Sequence, residues 1–507
     1  MIFCRRYENL TTRHQLIQIG MLLQHNITHS FQSPLLRVLL VAIAIGLLYI
    51  LWREVRKIPA KLLTLMATAF VDMVGVLMIF PLLPFYVKNL GAGGVNFLGI
   101  HFGIGIITSF IVASFTVAQL LSAPMWGRFS DRVGRRPALL IALTASAIAY
   151  LIFGFADSLL LLLLSRVVQG AGGGTVGVIQ AYVADSTAPQ DRARALGWLS
   201  ATTNLGVALG PVLGSFAITL GKYDLMPGPT TLQMGHAGPG IIAAALCLIN
   251  IGFAARYLTE SRNPDDHVHI EGEERRTSRQ VIWRVISHSG EPSSRLIWIY
   301  AIAMGAFQGS FAVLALFLNA RFQVTEQTIG YFFMYVGSIS VFTRVLLLGR
   351  MVDWLGEAKL SRLGLALLAI GVLGMPLAGS IWTLALAVAL IPLGTAFTFP
   401  CVTALLSRII KPRERGLFMG MQQTYGGVAR AIAPLFFGWS FDQLGISSPY
   451  FIASAIIMAT IFLGLGLDKY AKHEEAPARQ EEGTETTRSG CPAPQTSSRP
   501  LSAGSDK

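Results

Sequence analysis

The stretch GRFSDRVG at Gly127–Gly134 returns later in the chain as GRMVDWLG at Gly349–Gly356, so the pattern Gly-Arg-x-x-Asp-x-x-Gly occurs twice. Each copy lies between two long apolar segments. A polar turn that is duplicated inside an apolar chain is typical of membrane proteins built from internal repeats, whose binding site lies between the repeats. The sequence therefore predicts two structurally related halves.

The composition excludes an ordinary soluble protein. Of the 507 residues, 53% are hydrophobic and only 13% are charged, which is too few ionic groups for a water-exposed surface. Apolar runs of about 20 residues recur, and in lipid each such run must be a helix because its backbone has no other hydrogen-bond partners. About twelve runs lie between Leu62 and Leu467. We therefore predict an all-α, multi-pass membrane protein with two six-helix bundles related by pseudo-two-fold symmetry.

The net charge of +13 does not indicate nucleic-acid binding, because the basic residues follow the positive-inside pattern. The loop that contains the first copy carries Arg128, Arg132, Arg135 and Arg136, whereas the alternate loops contain few Lys or Arg residues. They contain Lys88, Lys222 and Arg321. We expect both motif loops, the central loop and the carboxyl-terminal tail to be cytoplasmic in a cell (inner) membrane.

The chain divides into five predicted regions: an amino-terminal extension (1–61), a first bundle (62–257), a cytoplasmic central loop (258–295), a second bundle (296–467) and a disordered tail (468–507). Within the extension, residues 35–52 are predicted to form either a thirteenth spanning helix or an interfacial or poorly ordered helix. In the central loop, the spacing of Val281, Ile282, Val285 and Ile286 predicts a short amphipathic helix on the membrane surface.

The first motif resembles the signature of the major facilitator superfamily between its second and third helices, and the resemblance spans Leu62 to Leu467. It implies that Asp131 and Arg135 pair with an acidic residue at the end of the fourth helix, where Asp185 stands. We expect this network to act as a latch that opens when the bundles move. The alternative, a positive anchor that fixes orientation, gives Asp131 no role. The motif residues are Gly127, Asp131, Arg132, Gly134, Arg135 and Arg136.

The second motif copy keeps Gly349, Arg350, Asp353 and Gly356. It has Glu357 and Ala358 where the first copy has Arg135 and Arg136, so we expect a weaker latch there.

Asp72 lies in the first apolar segment, in the run FVDMVGVLMIFPLLPFYV. A charged carboxylate inside hydrocarbon costs about 2.5 to 3.5 kcal/mol, so this side chain should face a cavity and bind a proton readily. The spacing of Asp72, Gly75, Pro81 and Pro84 resembles that of the tetracycline and multidrug proton antiporters of the superfamily. The resemblance implies proton coupling, whereas the alternative is an aspartate that only hydrogen-bonds a neighbouring helix.

Arg166 belongs to LLSRVVQGAGGG, which matches the family's Arg-x-x-x-Gly element, where the arginine is associated with proton transfer. A guanidinium near Asp72 would change the proton affinity of that carboxyl group. The same stretch satisfies G-x-G-x-x-G at Gly172, Gly174 and Gly177. No strand precedes it, so we interpret these glycines as helix-packing residues and not as a dinucleotide site.

The stretch GVALGPVLG resembles the element that antiporters of the superfamily carry and symporters mostly lack, and it indicates export. Its residues are Gly206, Gly210, Pro211 and Gly214. We expect them to make a tight, kinked contact between the halves, with packing alone as the alternative. Candidate residues of the substrate cavity are Gln169, Arg430, Phe307 and Tyr335. We expect Arg344 to extend to the membrane interface. The sequence does not decide the charge of the substrate, because the spanning segments carry three arginines, Arg166, Arg344 and Arg430, beside the carboxylate of Asp72.

No nucleophile, base and oxyanion grouping and no phosphate-binding loop occurs, so we predict neither an enzyme nor a cofactor. His267, His269, Glu271 and Glu273 alternate in the central loop, but we interpret them as solvated and predict no metal site. The predicted function is a monomeric, proton-coupled exporter of small drug-like or amphiphilic molecules, with protons and the lipid bilayer as its other partners. The alternatives are a symporter or facilitator that takes up a metabolite or organic anion, and a non-transporting sensor or scaffold.

Overall fold

The computed structural model describes residues 60–91, 94–97, 100–173, 175–187, 191–220, 234–260, 278–410 and 414–467. In this part of the chain the structure is almost entirely helical, apart from a two-stranded hairpin. The predicted helix at 35–52, the four His and Glu residues of the central loop and the tail at 468–507 lie outside the described residues.

The first half contains eight helices and the hairpin. They are α1 (Ala60–Ile79), α2 (Leu83–Leu90), β1 (Val95–Phe97), β2 (Ile100–Phe102), α3 (Ile104–Val133), α4 (Arg135–Gly154), α5 (Leu159–Ala171), α6 (Thr175–Ser186), α7 (Arg192–Leu220) and α8 (Met234–Tyr257). The two strands pair antiparallel, with Asn96 opposite His101.

The second half follows a short amphipathic helix, α9 (Ser278–Ser287), which lies where the sequence predicts one. Its elements are α10 (Pro292–Ala312), α11 (Leu314–Phe322), α12 (Ile329–Phe342), a π-helical turn (Thr343–Leu347), α13 (Leu348–Leu355), α14 (Glu357–Leu377), α15 (Ile381–Ile409), α16 (Arg415–Leu444) and α17 (Ser448–Leu463).

Within the described residues, eight helical segments are long and apolar enough to cross a membrane. Helices α10 and α11, which are bent by 48° relative to each other, would form a ninth span together, and α5 and α17 are shorter apolar helices. Each of the twelve apolar segments predicted from the sequence is helical. The predicted all-α multi-pass fold is therefore confirmed.

In the first half, the apolar pattern predicts single helices near 62–86 and near 159–184, and the structure breaks both. Pro81 and Pro84 lack backbone N–H groups, and the chain passes from α1 to α2 through a turn at this point. The segment predicted as one helix over 159–184 ends at Ala171 and resumes at Thr175, because the glycines between them weaken helix continuation. The prediction of a continuous helix there was wrong.

The two halves pack against each other through two helix pairs. Helix α3 lies along α16, and α7 lies along α12. We call the ends of the helices that carry the two motif copies the motif side, and the other ends the opposite side. Within each half the most extensive packing is between α1 and α7 in the first half and between α14 and α15 in the second.

Candidate functional site

Asp72 lies in the interior of the first half, in the middle of α1. Its side chain is 4% exposed, and Thr175 Oγ1 donates a hydrogen bond of 2.8 Å to Asp72 Oδ2. Thr175 is the first residue of α6, so the carboxyl group lies at the amino end of a helix, where partial positive charge favours an anion. The break between α5 and α6 therefore creates the polar surroundings of Asp72.

Thr175 is a site residue that the sequence analysis missed. The signal was present, because three glycines followed by a hydroxyl residue favour a helix end and a new helix start. The carbonyl groups at the end of α5 bond to α3 instead: Ser122 donates to Gly170 O at 3.2 Å, and Trp126 Nε1 donates to Ala171 O at 2.6 Å. The broken helix thus leaves few unpaired backbone groups.

Asp72 lines a cavity of about 370 Å³ between α1, α6 and α7. The remaining wall is mostly apolar, with a few hydroxyl and amide groups. It consists of Ala69, Met73, Ile179, Gln180, Leu196, Leu199, Ser200, Thr203, Asn204 and Val207. A mainly apolar cavity with few polar groups is the usual form of a site for a small organic molecule.

Arg166 is buried behind this cavity and does not pair with Asp72 among the described contacts. Its Nε donates to Ser165 Oγ at 3.2 Å, and its guanidinium lies 5.1 Å from the centroid of the Phe153 ring. The structure therefore does not bring the two predicted proton-coupling residues into direct contact.

This interior cluster contains unsatisfied polar atoms. Arg166 Nη2 is buried without a hydrogen-bond partner in the described part of the chain, and the Tyr150 hydroxyl and the Gln169 amide lie close together without a well-aligned hydrogen bond. Gly75 makes room for the tyrosine, since a Cβ at position 75 would lie 2.8 Å from the Tyr150 hydroxyl. Buried polar atoms without partners are rare in folded proteins, so this cluster differs from an ordinary packed core.

The glycines of α7 do not form the contact between the halves that we expected. A Cβ at Gly206 would lie 2.9 Å from the Met73 Cβ atom, and one at Gly214 would lie 2.2 Å from the Met78 carbonyl oxygen. Gly210 likewise faces Leu77, so all three pack α7 on α1 inside the first half. The prediction was wrong because the glycine face of α7 packs within its own half, and a different face of the helix contacts the second half.

The contact of α7 with the second half uses different residues. Gly337 of α12 lies against Ala208, and Gly330 lies against Pro211 and Ser215. Pro211 is thus the one residue of the predicted element that lies at the boundary between the halves.

The other predicted cavity residues lie outside the wall described above. Tyr335 is 39% exposed and donates to Ala385 O at 3.1 Å, and Phe307 packs on Phe311 with ring centroids 4.5 Å apart. Arg430 is partly buried on α16, and its Nε has no hydrogen-bond partner among the described residues. The structure does not bring these three residues together with Asp72.

The first motif forms the expected ion-pair network. Arg135 Nη1 lies 2.8 Å from Asp131 Oδ1, and Arg135 Nε lies 2.9 Å from Asp185 Oδ2. Gly134 has φ +109°, which permits the sharp change of direction from α3 to α4. Arg132 and Gly127 do not share in these contacts: Arg132 is exposed, and no atom lies within 4 Å of a Cβ added at Gly127.

Glu260 is a further member of this network that the sequence analysis missed. Its carboxylate accepts hydrogen bonds from the backbone N–H groups of Arg135 (2.8 Å) and Arg136 (3.1 Å), and so caps the start of α4. No spacing rule predicts this contact, because it joins residues more than one hundred positions apart.

The second motif also turns at a glycine with positive φ, but the acidic and basic members of its ion pair have exchanged places. Gly356 has φ +73° at the position that corresponds to Gly134. The next residue, Glu357, is 9% exposed and lies 2.9 Å from Arg408 Nη2 at the end of α15. Arg135 and Asp185 are thus matched by Glu357 and Arg408. Gly349, Arg350 and Asp353 of this copy are exposed.

Polar contacts join the two halves on the opposite side. The carboxylate of Asp442, on α16, accepts hydrogen bonds from the N–H groups of Gly105 (2.9 Å) and Ile106 (2.8 Å) at the start of α3. Ser215 donates to Glu326 O at 2.9 Å and accepts from Gly330 N at 2.9 Å. Lys88 Nζ also lies 2.7 Å from Asn319 Oδ1. These contacts close the protein on the opposite side.

Arg344 does not extend to the interface as expected. It lies in the π-helical turn, is partly buried, and its Nη1 donates to Asn204 Oδ1 of the first half. Asn204 lines the cavity of Asp72, so this arginine links the second half to the edge of that cavity.

Comparison with known proteins identifies the family. The family model described as Major Facilitator Superfamily matches residues 65–379 and 345–502. The chain is 26% identical over 419 residues to Multidrug resistance protein 2 of Bacillus subtilis (strain 168), covering 82% of this chain and 96% of the relative. It is 25% identical to the class B tetracycline resistance protein of Escherichia coli, covering 72% and 84%.

Solved structures show the same fold. The human organic anion transporter MFSD10 (TETRAN) superposes with a TM-score of 0.57 at 22% identity, covering 80% of this chain and 99% of that one. A bacterial homologue of the human lysosomal transporter Spinster, in an inward-facing and unoccupied conformation, gives a TM-score of 0.62 at 15% identity, covering 82% and 96%. The family is not enzymatic. The chain is therefore a multi-pass membrane protein that belongs to the major facilitator superfamily.

Proposed function

We propose that this protein is a proton-coupled secondary transporter that exports small drug-like or amphiphilic molecules by alternating access. The observation that carries the proposal is the placement of Asp72: a buried carboxyl group in the wall of a cavity large enough for an organic molecule. A carboxyl group in such a place can bind either a proton or a cationic group of the substrate. Competition between the two for one site is sufficient for exchange.

The contacts between the halves indicate which side of the protein is closed. The halves are joined on the opposite side by the Asp442 and Ser215 contacts, and the cavity lies along the first half of α7, which begins on the motif side. With the motif side cytoplasmic, as the distribution of Lys and Arg predicts, this is a state in which the site is reached from inside the cell. Rocking of the halves would break the opposite-side contacts and expose Asp72 to the exterior.

The relatives support export over uptake, because the names of two of them describe multidrug and tetracycline resistance. One proton crossing about 100 mV supplies about 2.3 kcal/mol, which can maintain about a fifty-fold gradient of a neutral solute. In this cycle Asp72 and Arg166 couple the proton. The Arg135 network and the Glu357–Arg408 pair each lie within one half in this state, so closing the motif side would require them to gain partners from the other half.

The test is drug transport in proteoliposomes under an imposed pH gradient, with Asp72→Asn as the variant. Asp157→Asn is the matched control, since Asp157 is an exposed carboxylate on the opposite side. We expect Asp72→Asn to abolish accumulation against a concentration gradient while downhill exchange persists, and the control to behave as wild type. Accumulation by Asp72→Asn at the wild-type level would refute the proposal.

The second candidate is a symporter or facilitator that takes up a small metabolite or organic anion. It is kept because solved structures described as an organic anion transporter and as a D-xylose-proton symporter have the same fold. The sign of the proton movement separates the two. Export by exchange moves protons opposite to the substrate, whereas symport moves them with it.

A further inference from the structure

Arg344 occupies an unusual place in its helix. The turn Thr343–Leu347 is π-helical and interrupts an otherwise α-helical span between α12 and α13. A π-helical turn contains an additional residue, so the side chains that follow it are rotated, and such turns are frequent at functional sites. In this case the guanidinium of Arg344 points across to the first half and donates to Asn204.

The guanidinium has unused hydrogen-bonding capacity. Arg344 Nε is buried without a hydrogen-bond partner, and no carboxylate of the described residues forms an ion pair with this arginine. Arg344 donates instead to the neutral amide oxygen of Asn204. A partly buried cation with one neutral acceptor and a free donor is matched to an incoming anion, because the planar guanidinium can hold a carboxylate with two parallel hydrogen bonds.

Arg344 and Asp72 approach the same cavity from different halves. Asn204 and Asp72 both line it, and Arg344 bonds to Asn204. The cavity therefore has a carboxyl group from α1 in its wall, and a guanidinium from the second half is bonded to another residue of that wall. Most of the remaining wall is apolar.

We propose that the substrate is a zwitterionic amphiphile whose ammonium group binds Asp72 and whose carboxylate, or another anionic group, replaces Asn204 on Arg344. This inference rests on the proposed function, because it takes Asp72 as the group that exchanges its proton for substrate. The volume of about 370 Å³ lies within the range of cavities that hold small organic ligands. A molecule held by both groups also bridges the two halves, which ties its binding to their movement.

The first experiment compares three compounds with the same naphthyl group: naphthylalanine, naphthylethylamine, which lacks the carboxylate, and naphthylpropionate, which lacks the ammonium. Their binding to the purified full-length protein is measured by calorimetry. We expect naphthylalanine to bind about tenfold or more tightly than either compound with a single charge, since each charge-assisted contact is desolvated in the cavity. Equal or weaker binding of naphthylalanine than of the amine, or no binding at all, would overturn the zwitterion assignment.

Variants assign the carboxylate contact. Arg344→Gln should remove the advantage of naphthylalanine over naphthylethylamine while leaving binding of the amine unchanged, and Arg344→Lys should restore part of it. Arg321→Gln is the control for loss of one arginine, because Arg321 is exposed and donates to Ala378 O. Loss of the advantage in Arg430→Gln but not in Arg344→Gln would overturn the assignment to Arg344. An equal loss of affinity for all three compounds in Arg344→Gln would also overturn it.

The voltage dependence of transport separates this inference from the proposed function. Exchange of one zwitterion for one proton moves one net charge per cycle, whereas exchange of a monovalent cation moves none. Accumulation against a concentration gradient is measured in proteoliposomes with and without a potassium diffusion potential. Voltage-dependent accumulation that requires Asp72 supports both proposals. Accumulation that requires Asp72 but ignores voltage overturns the zwitterion and leaves proton-coupled export standing, whereas accumulation by Asp72→Asn at the wild-type level refutes the proposed function itself.

Discussion

Asp442 is the residue whose removal should shift the balance between the two conformations most directly. Its carboxylate, on α16 of the second half, accepts two backbone hydrogen bonds of 2.9 and 2.8 Å at the start of α3 in the first half. The contact joins the halves on the opposite side, so it exists only while that side is closed. Loss of the contact therefore destabilises the closed state and leaves the open state unchanged.

The magnitude follows from helix capping. Removal of an aspartate cap costs about 0.5 to 2 kcal/mol, because the freed N–H groups and the helix dipole lose an anionic partner. A change of about 0.5 to 2 kcal/mol corresponds to a factor of about 2 to 30 in a two-state equilibrium. We expect Asp442→Ala to raise the ratio of open to closed molecules on the opposite side by about this factor. Asp442→Asn, which keeps one acceptor oxygen, should give a smaller increase.

Spin labels at positions 157 and 379 report this ratio, since both residues are exposed on the opposite side and belong to different halves. Cys4 and Cys491 are replaced by serine, whereas Cys247 and Cys401 are buried. Distances are measured by pulsed electron resonance in lipid nanodiscs. Gly103→Ala provides an independent perturbation, because a Cβ there would lie 2.3 Å from Asp442 Cγ and should displace the carboxylate. Unchanged distance distributions in both Asp442→Ala and Gly103→Ala would refute the reasoning.

Two further predictions concern packing and the second motif. Gly214→Ala places a Cβ 2.2 Å from the Met78 carbonyl oxygen and should destabilise the protein by about 1 to 3 kcal/mol, which is measured as a lower unfolding temperature in detergent. Gly177→Ala is the control, because open space surrounds Gly177 and its unfolding temperature should not change. Equal unfolding temperatures of the two variants would contradict the α1–α7 contact. Arg408→Glu should destabilise the protein by up to about 1 kcal/mol because it places two carboxylates together, and adding Glu357→Arg should recover most of the loss. Additive losses in the double variant would show that the pair does not interact.

The sequence predicted the fold well because its signals are repeated. Apolar segments long enough to span a bilayer must be helical, and the duplicated motif fixes where the two halves correspond. The network of Arg135, Asp131 and Asp185 also followed from a motif whose members are close in sequence or lie at a helix end. The sequence could not predict which residues contact each other across the interior of the protein. Thr175, Glu260 and Arg408 each contact a side chain or backbone far away in the sequence.

The errors have a common physical origin. The faces of α7 were assigned from glycine spacing alone, and spacing shows that a face is close-packed but does not show which helix it meets. Arg344 was expected at the interface because an arginine near a helix end usually extends there, but the π-helical turn rotates it inward. The helical periodicity of the apolar residues reveals neither the break in the helix before Thr175 nor the π-helical turn that contains Arg344.

The central claim is that Asp72 exchanges its proton for substrate, and proton release on binding tests it most directly. Purified protein in weakly buffered, mildly acidic solution is mixed with a transported compound, and the pH change is followed with an indicator dye. We predict release of up to about one proton per bound molecule by the wild-type protein and none by Asp72→Asn, since only a protonated carboxyl group can give up a proton to an incoming ligand. Equal release from both proteins, or binding to the wild type without any release across the acidic range, would contradict the account.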